Sequence, residues 1–82
     1  MKKVEKFEFD VVTTVLTDIM EGENDLFNNY IDYNITKIEQ IQTLKQYEVE
    51  LNFIEDQTVV LFINEHEDSD ILEYDVDLSE VY

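Results

Sequence analysis

Eighty-two residues, 44% of them apolar and including five Phe and five Tyr, are enough for one small folded domain and too hydrophobic for a disordered acidic tail. The absence of Cys excludes a disulfide framework or a thiolate metal site, and no apolar run approaches the roughly 18 residues that span a bilayer. Twenty-one acidic residues against five Lys and no Arg leave a formal charge of −16, which repels nucleic acid and anionic membranes and attracts basic surfaces.

The charge is uneven. Residues 1–45 hold nine acids and all five Lys, whereas residues 46–82 hold twelve acids and no Lys or Arg. The start, MKKVEKFEFD, has a basic opening, but Glu5, Glu8 and Asp10 interrupt any apolar region a signal peptide would need. A cytoplasmic, single-domain chain over residues 1–82 is the expectation. Ala, Arg, Pro and Trp are absent and Gly occurs once, while Ile and Asn are plentiful; this points to an AT-rich genome and away from a halophile's acidity.

In chain order, residues 7–21 place Phe7, Val11, Val12, Val15, Leu16, Ile19 and Met20 on one helical stripe, closed by Gly22. The β-branched run VVTTV also leaves a strand through residues 4–12 open. Asn24 or Asp25 fits the N-cap of a second helix with Leu26, Phe27, Tyr30 and Ile31 on its apolar face. Beyond Tyr33 the pattern splits: Ile35, Ile38, Ile41 and Leu44 recur at a spacing a helix can use, while the β-branched content suits the first strand of a meander. The reading leans to the strand.

In QYEVELNFI, Tyr47, Val49, Leu51 and Phe53 alternate with Glu48, Glu50 and Asn52, the pattern of a half-buried strand. TVVLFIN follows as a strand apolar on both faces, hence central, and the two form an antiparallel hairpin from 46 to 64. After the polar EHEDSD, Leu72, Tyr74, Val76 and Leu78 alternate with Glu73, Asp75 and Asp77, the pattern of a strand docked at the sheet edge, with a short helix from Asp70 as the alternative. The expected fold is α+β, with one or two N-terminal helices on a small antiparallel sheet of three to four strands in the C-terminal half.

Little in the sequence suggests catalysis. His66 is the single histidine, set among Glu65, Glu67 and Asp68, and reads as a solvated loop residue; no nucleophile elbow, phosphate loop or zinc motif accompanies it. Asp68 with Asp70, or Asp75 with Asp77, has the opening spacing of an EF-hand loop, yet both lack Gly at the sixth position and Glu at the twelfth. No enzyme activity, cofactor or metal site is expected.

The acidic rows are the remaining constellation. On a strand, alternate residues lie on one face about 6.6–6.8 Å apart, so Glu73, Asp75 and Asp77 form one carboxylate ladder and Glu48 and Glu50 a second. Such rows can occupy Lys and Arg sites that otherwise take phosphates, because Arg pairs with both through the same bidentate geometry. Solubility alone is served by a net charge of about 2–8. With Glu65, Glu67, Asp68 and Asp70, these ladders are the expected partner-binding set, and Tyr74 and Tyr82 are candidate apolar anchors.

In size, acidity and absence of enzyme motifs, and in the carboxylates Glu65, Glu67, Asp68, Asp70, Glu73, Asp75 and Asp77, the chain resembles the small acidic DNA-mimic inhibitors of phages and mobile elements, anti-CRISPR and anti-restriction proteins among them. The resemblance covers the whole chain as composition, without a diagnostic motif or shared fold. It implies a phage- or mobile-element-encoded inhibitor in a bacterial cytoplasm, docked in the basic DNA-binding groove of a host-defence nuclease. The alternative is a regulatory or assembly module, such as an antitoxin, that covers another basic protein surface.

Overall fold

A computed structural model describes residues 2–6, 10–21 and 30–77. Their order is β1 (Lys2–Glu5), α1 (Val11–Glu21), β2 (Tyr30–Ile41), β3 (Leu44–Phe53), a short 3-10 turn (Ile54–Asp56), β4 (Thr58–His66) and β5 (Ile71–Asp77). The strands make one antiparallel sheet in the order β1-β5-β4-β3-β2, with the helix packed on one face, so the fold is α+β. The sheet has five strands where the sequence pattern suggested three to four. The extra one is N-terminal: β1 pairs Val4 with Leu72 and covers the outer edge of β5. β5 is therefore internal, and the expectation of an edge strand there is corrected.

β4 lies third of five, as its two apolar faces require. Toward the helix it sends Val59, Leu61 and Ile63, each wholly buried, against Val49 and Leu51 of β3 and Leu72 and Tyr74 of β5. α1 completes the core with Val11, Val12, Val15, Leu16 and Ile19. Met20, expected on this stripe, is exposed instead; Phe7 lies outside the described residues. The run VVTTV is a poor intrinsic helix former, so packing of its apolar face holds it helical.

The helix start is fixed by Asp10. Its carboxylate accepts hydrogen bonds from the Val12 amide (3.0 Å), the Thr13 hydroxyl (2.8 Å) and the Tyr33 hydroxyl of β2 (3.0 Å). Burial alone would raise the Asp10 pKa, but these bonds outweigh it and hold the carboxyl below its ordinary value of 3.8. Asp10→Ala removes the cap and the tie between α1 and β2. A loss of about 1–2 kcal/mol in urea unfolding at pH 7 is expected, and a loss below about 0.3 kcal/mol would show the cap to be dispensable.

Tyr30 and Ile31, assigned in the sequence reading to a second helix, belong to β2; the rest of that segment, 22–29, lies outside the described residues. β2 and β3 form a long hairpin, with register shifts between Tyr30 and Asp32 and between Ile35 and Lys37. They turn at Gln42, whose φ of 56° is left-handed. Glu55, between β3 and β4, has φ 69°.

Candidate acidic face

Strand register decides which side each charge occupies, because directly paired residues share a face. Val49 pairs with Leu61 and Leu61 with Val76 on the helix side. On the opposite, outer side Glu48 pairs with Phe62 and Phe62 with Asp75, while Glu50 pairs with Val60 and Val60 with Asp77. The two expected ladders thus lie on one face, separated by β4 and so about 9.5 Å apart at the usual strand spacing.

The separation has a physical reason. Like charges directly opposite each other destabilise a sheet. β4 puts Val60, Phe62 and Asn64 between the rows, so Glu48 and Glu50 never directly oppose Asp75 and Asp77. Phe62 remains 39% exposed at the centre of the face. Around it an open depression of about 470 Å³ is lined by Lys37, Glu48, Asn64 and Asp75 among others.

Register adds three carboxylates that local pattern did not single out. Asp32 pairs with Asn52, Glu39 with Gln46, and Glu5 with Ile71, all on the outer side. Among the described residues this face therefore bears Glu5, Asp32, Glu39, Glu48, Glu50, Glu73, Asp75 and Asp77 against Lys3 and Lys37. The helix side holds Lys2, Lys6 and Lys45 with Glu65 of the sheet and with Asp10, Asp18 and Glu21 of the helix and its cap, so it is near balance while the outer face is strongly negative. The charge is sorted by face.

Several outer carboxylates are held in place. Asp32 accepts a hydrogen bond from Asn52 (2.8 Å), Glu48 from the Thr36 hydroxyl (3.3 Å), and Glu39 pairs with Lys37 (2.8 Å). Glu73 meets the His66 ring at 3.0 Å. His66 is thus at the half-buried end of β4, engaged with β5, where the sequence suggested a solvated loop.

Other expected site residues fall elsewhere. Glu67, Asp68 and Asp70 are exposed in the β4–β5 turn at one end of the sheet. Tyr74 is buried among the core side chains, and its hydroxyl donates to Asp18 of α1. Burial, reinforced by that carboxylate, pushes the phenol's pKa well above its ordinary value. It cannot serve as an exposed anchor; Phe62, on the outer face between the carboxylate rows, is exposed in its place. Tyr82 lies outside the described residues.

Glu65 lies on the helix side, where it accepts hydrogen bonds from the Tyr47 hydroxyl (2.8 Å) and Lys6 (3.0 Å). Burial pushes the Tyr47 phenol up, with Glu65 adding to it. Burial also opposes ionisation of Glu65, but Tyr47, Lys6 and Lys45 outweigh it and keep the carboxyl below its ordinary 4.5. A folded-state pKa below the unfolded one gives stability that is present above pH 4.5 and lost as pH falls through the folded value. Glu65→Gln should cost about 1 kcal/mol in urea unfolding at pH 7, and its gap from the parent should close on titration toward pH 3. A gap that stays constant with pH would contradict this network.

Among the described residues no group of three or more His, Asp or Glu side chains converges as metal ligands, and no helix is long and apolar enough to cross a membrane. No protein-family model matches the chain, and neither a search of curated proteins nor one of solved structures finds a match.

Proposed function

We propose that this chain is an inhibitor that acts as a DNA mimic, occupying the basic DNA-binding groove of a host-defence nuclease such as an RNA-guided nuclease or a restriction enzyme. The observation that carries the reading is the sorting of charge: a solubilising surface intersperses both signs, whereas here eight carboxylates and two Lys share the outer face and the remaining sheet Lys lie behind it.

Fixed strand spacing makes this face a pre-organised array of anionic groups. Two carboxylate rows flank an exposed aromatic ring, so Lys and Arg that normally grip phosphates are offered carboxylates at several-ångström intervals. In an RNA-guided nuclease, the arginines that read the short flanking motif are a natural landing point. Long-range attraction speeds encounter and makes it salt-dependent, while Phe62 and the shape of the depression supply contact that charge alone lacks. The inhibitor performs no reaction of its own and needs no cofactor. Its place is the cytoplasm of the bacterial host, as a phage- or mobile-element product.

Occupancy predicts competitive kinetics. Cleavage by a sensitive nuclease should show a raised apparent KM for DNA at unchanged kcat, with inhibition overcome by excess duplex. Reduced kcat at saturating DNA would overturn the reading.

A further inference from the structure

We propose that the outer edge of β2 pairs antiparallel with β2 of a second copy, about a two-fold axis through Ile38. β2 is twelve residues long, contains no Pro, and has no strand beside its outer edge among the described residues. It exposes Ile31 (59%), Ile35 (43%), Ile38 (51%) and Ile41 (59%). A long edge of unpaired backbone groups with apolar side chains is a template for strand addition.

Charge selects the occupant. Two copies at −16 each repel everywhere that acids dominate. Residues 33–46 are an exception, with Lys37 and Lys45 against Glu39 alone. By two-fold symmetry the surface that meets this stretch is the same stretch of the other copy, so a second copy meets the least acidic repulsion here and can set its Lys37 against Glu39.

Charge also selects the register. In a symmetric antiparallel pair each residue opposes its mirror position about the centre. Centring on Lys37 sets Lys against Lys, and centring on Glu39 sets Glu against Glu. Centring on Ile38 sets Lys37 of each copy against Glu39 of the other, with the two Ile38 side chains in contact. Lys37 and Glu39 already lie on one face, 2.8 Å apart within the strand. The register shift at Thr36 limits the regular pairing to a short run about Ile38. The contact is therefore small and belongs with weak, reversible interfaces. It joins two outer faces into one continuous acidic sheet.

Sedimentation equilibrium tests this without any target protein, so its outcome is independent of the functional proposal. Wild-type chain should be dimeric at about 500 μM and monomeric at about 5 μM, the behaviour of a small transient interface. Lys37→Glu and Glu39→Lys should each weaken dimerisation at least ten-fold while keeping wild-type circular dichroism. An equimolar mixture of the two variants should recover a 1:1 dimer, because the mixed pair restores both opposite-charge contacts. A monomeric wild type at 500 μM would overturn the proposal. So would single variants that dimerise as well as wild type, or a mixture that stays monomeric.

Discussion

Leu61→Ala is expected to cost about 3–5 kcal/mol and to lower the thermal midpoint by roughly 15–30 °C, read by circular dichroism. Leu61 is wholly buried on the central strand, paired with Val49 on one side and Val76 on the other. Strands constrain it on both sides and α1 covers the face it points toward, so the surroundings have little room to collapse into the space left behind. A chain of this length has a total stability of about 4–12 kcal/mol, and mutual repulsion among the carboxylates draws on that margin. One cavity at this position therefore brings the protein close to unfolding. A fall of less than about 5 °C would mean that the sheet's centre is not where the core is tightest.

The second large effect concerns location of charge as opposed to amount. Glu48→Lys, Glu50→Lys and Asp75→Lys together surround Phe62 with cations and should weaken inhibition of a sensitive nuclease by at least about 100-fold, the product of three charged contacts at roughly 1 kcal/mol each or more. The matched control reverses Glu67, Asp68 and Asp70 in the β4–β5 turn, which changes net charge by the same amount at one end of the sheet. That control should cost less than about ten-fold, through slower encounter alone. Neither triple variant should unfold; reversal on the outer face thins the carboxylates but sets a cation at position 48 directly opposite Lys37, so the thermal midpoint should move only slightly. Equal losses from the two triple variants would show that bulk charge, and no particular face, drives inhibition.

Much of the sheet was legible because its strands state their own faces. The alternation in QYEVELNFI and the two-sided apolar run TVVLFIN both reflect burial that the core enforces, and β3 and β4 form as that pattern requires. Other elements depend on distant partners. KKVE has one apolar residue and no local strand signal; it is a strand because Val4 finds Leu72 nearly seventy residues away. The β2–β3 turn lacks the Gly or Asn that announces a hairpin. Gln42 takes the left-handed conformation instead, so residues 33–44 fit helix and strand alike until the pairing is known.

The candidate site divides along the same line. Glu48 and Glu50, and Glu73, Asp75 and Asp77, were readable as ladders from the period-two spacing alone. That both ladders share a face follows only from register through β4. Register likewise brings in Asp32, Glu39 and Glu5, whose own segments carry no comparable row. Glu65 was grouped with the acidic surface on composition and Tyr74 was given as an apolar anchor beside it, although each carried a contrary signal. Glu65 continues the inward series Val59, Leu61 and Ile63, and Tyr74 continues Leu72 and Val76. Parity was the better guide than charge.

The central claim is that the outer carboxylates stand in for DNA phosphates on a basic partner. The most direct measurement is capture from a bacterial lysate on immobilised protein, followed by elution with short duplex DNA and identification by mass spectrometry. The account predicts a DNA-binding nuclease that duplex DNA releases, and that the Glu48→Lys, Glu50→Lys, Asp75→Lys variant fails to retain. A partner that stays bound under saturating duplex, or that this variant retains as well as wild type, would contradict it and favour a regulatory module covering some other basic surface.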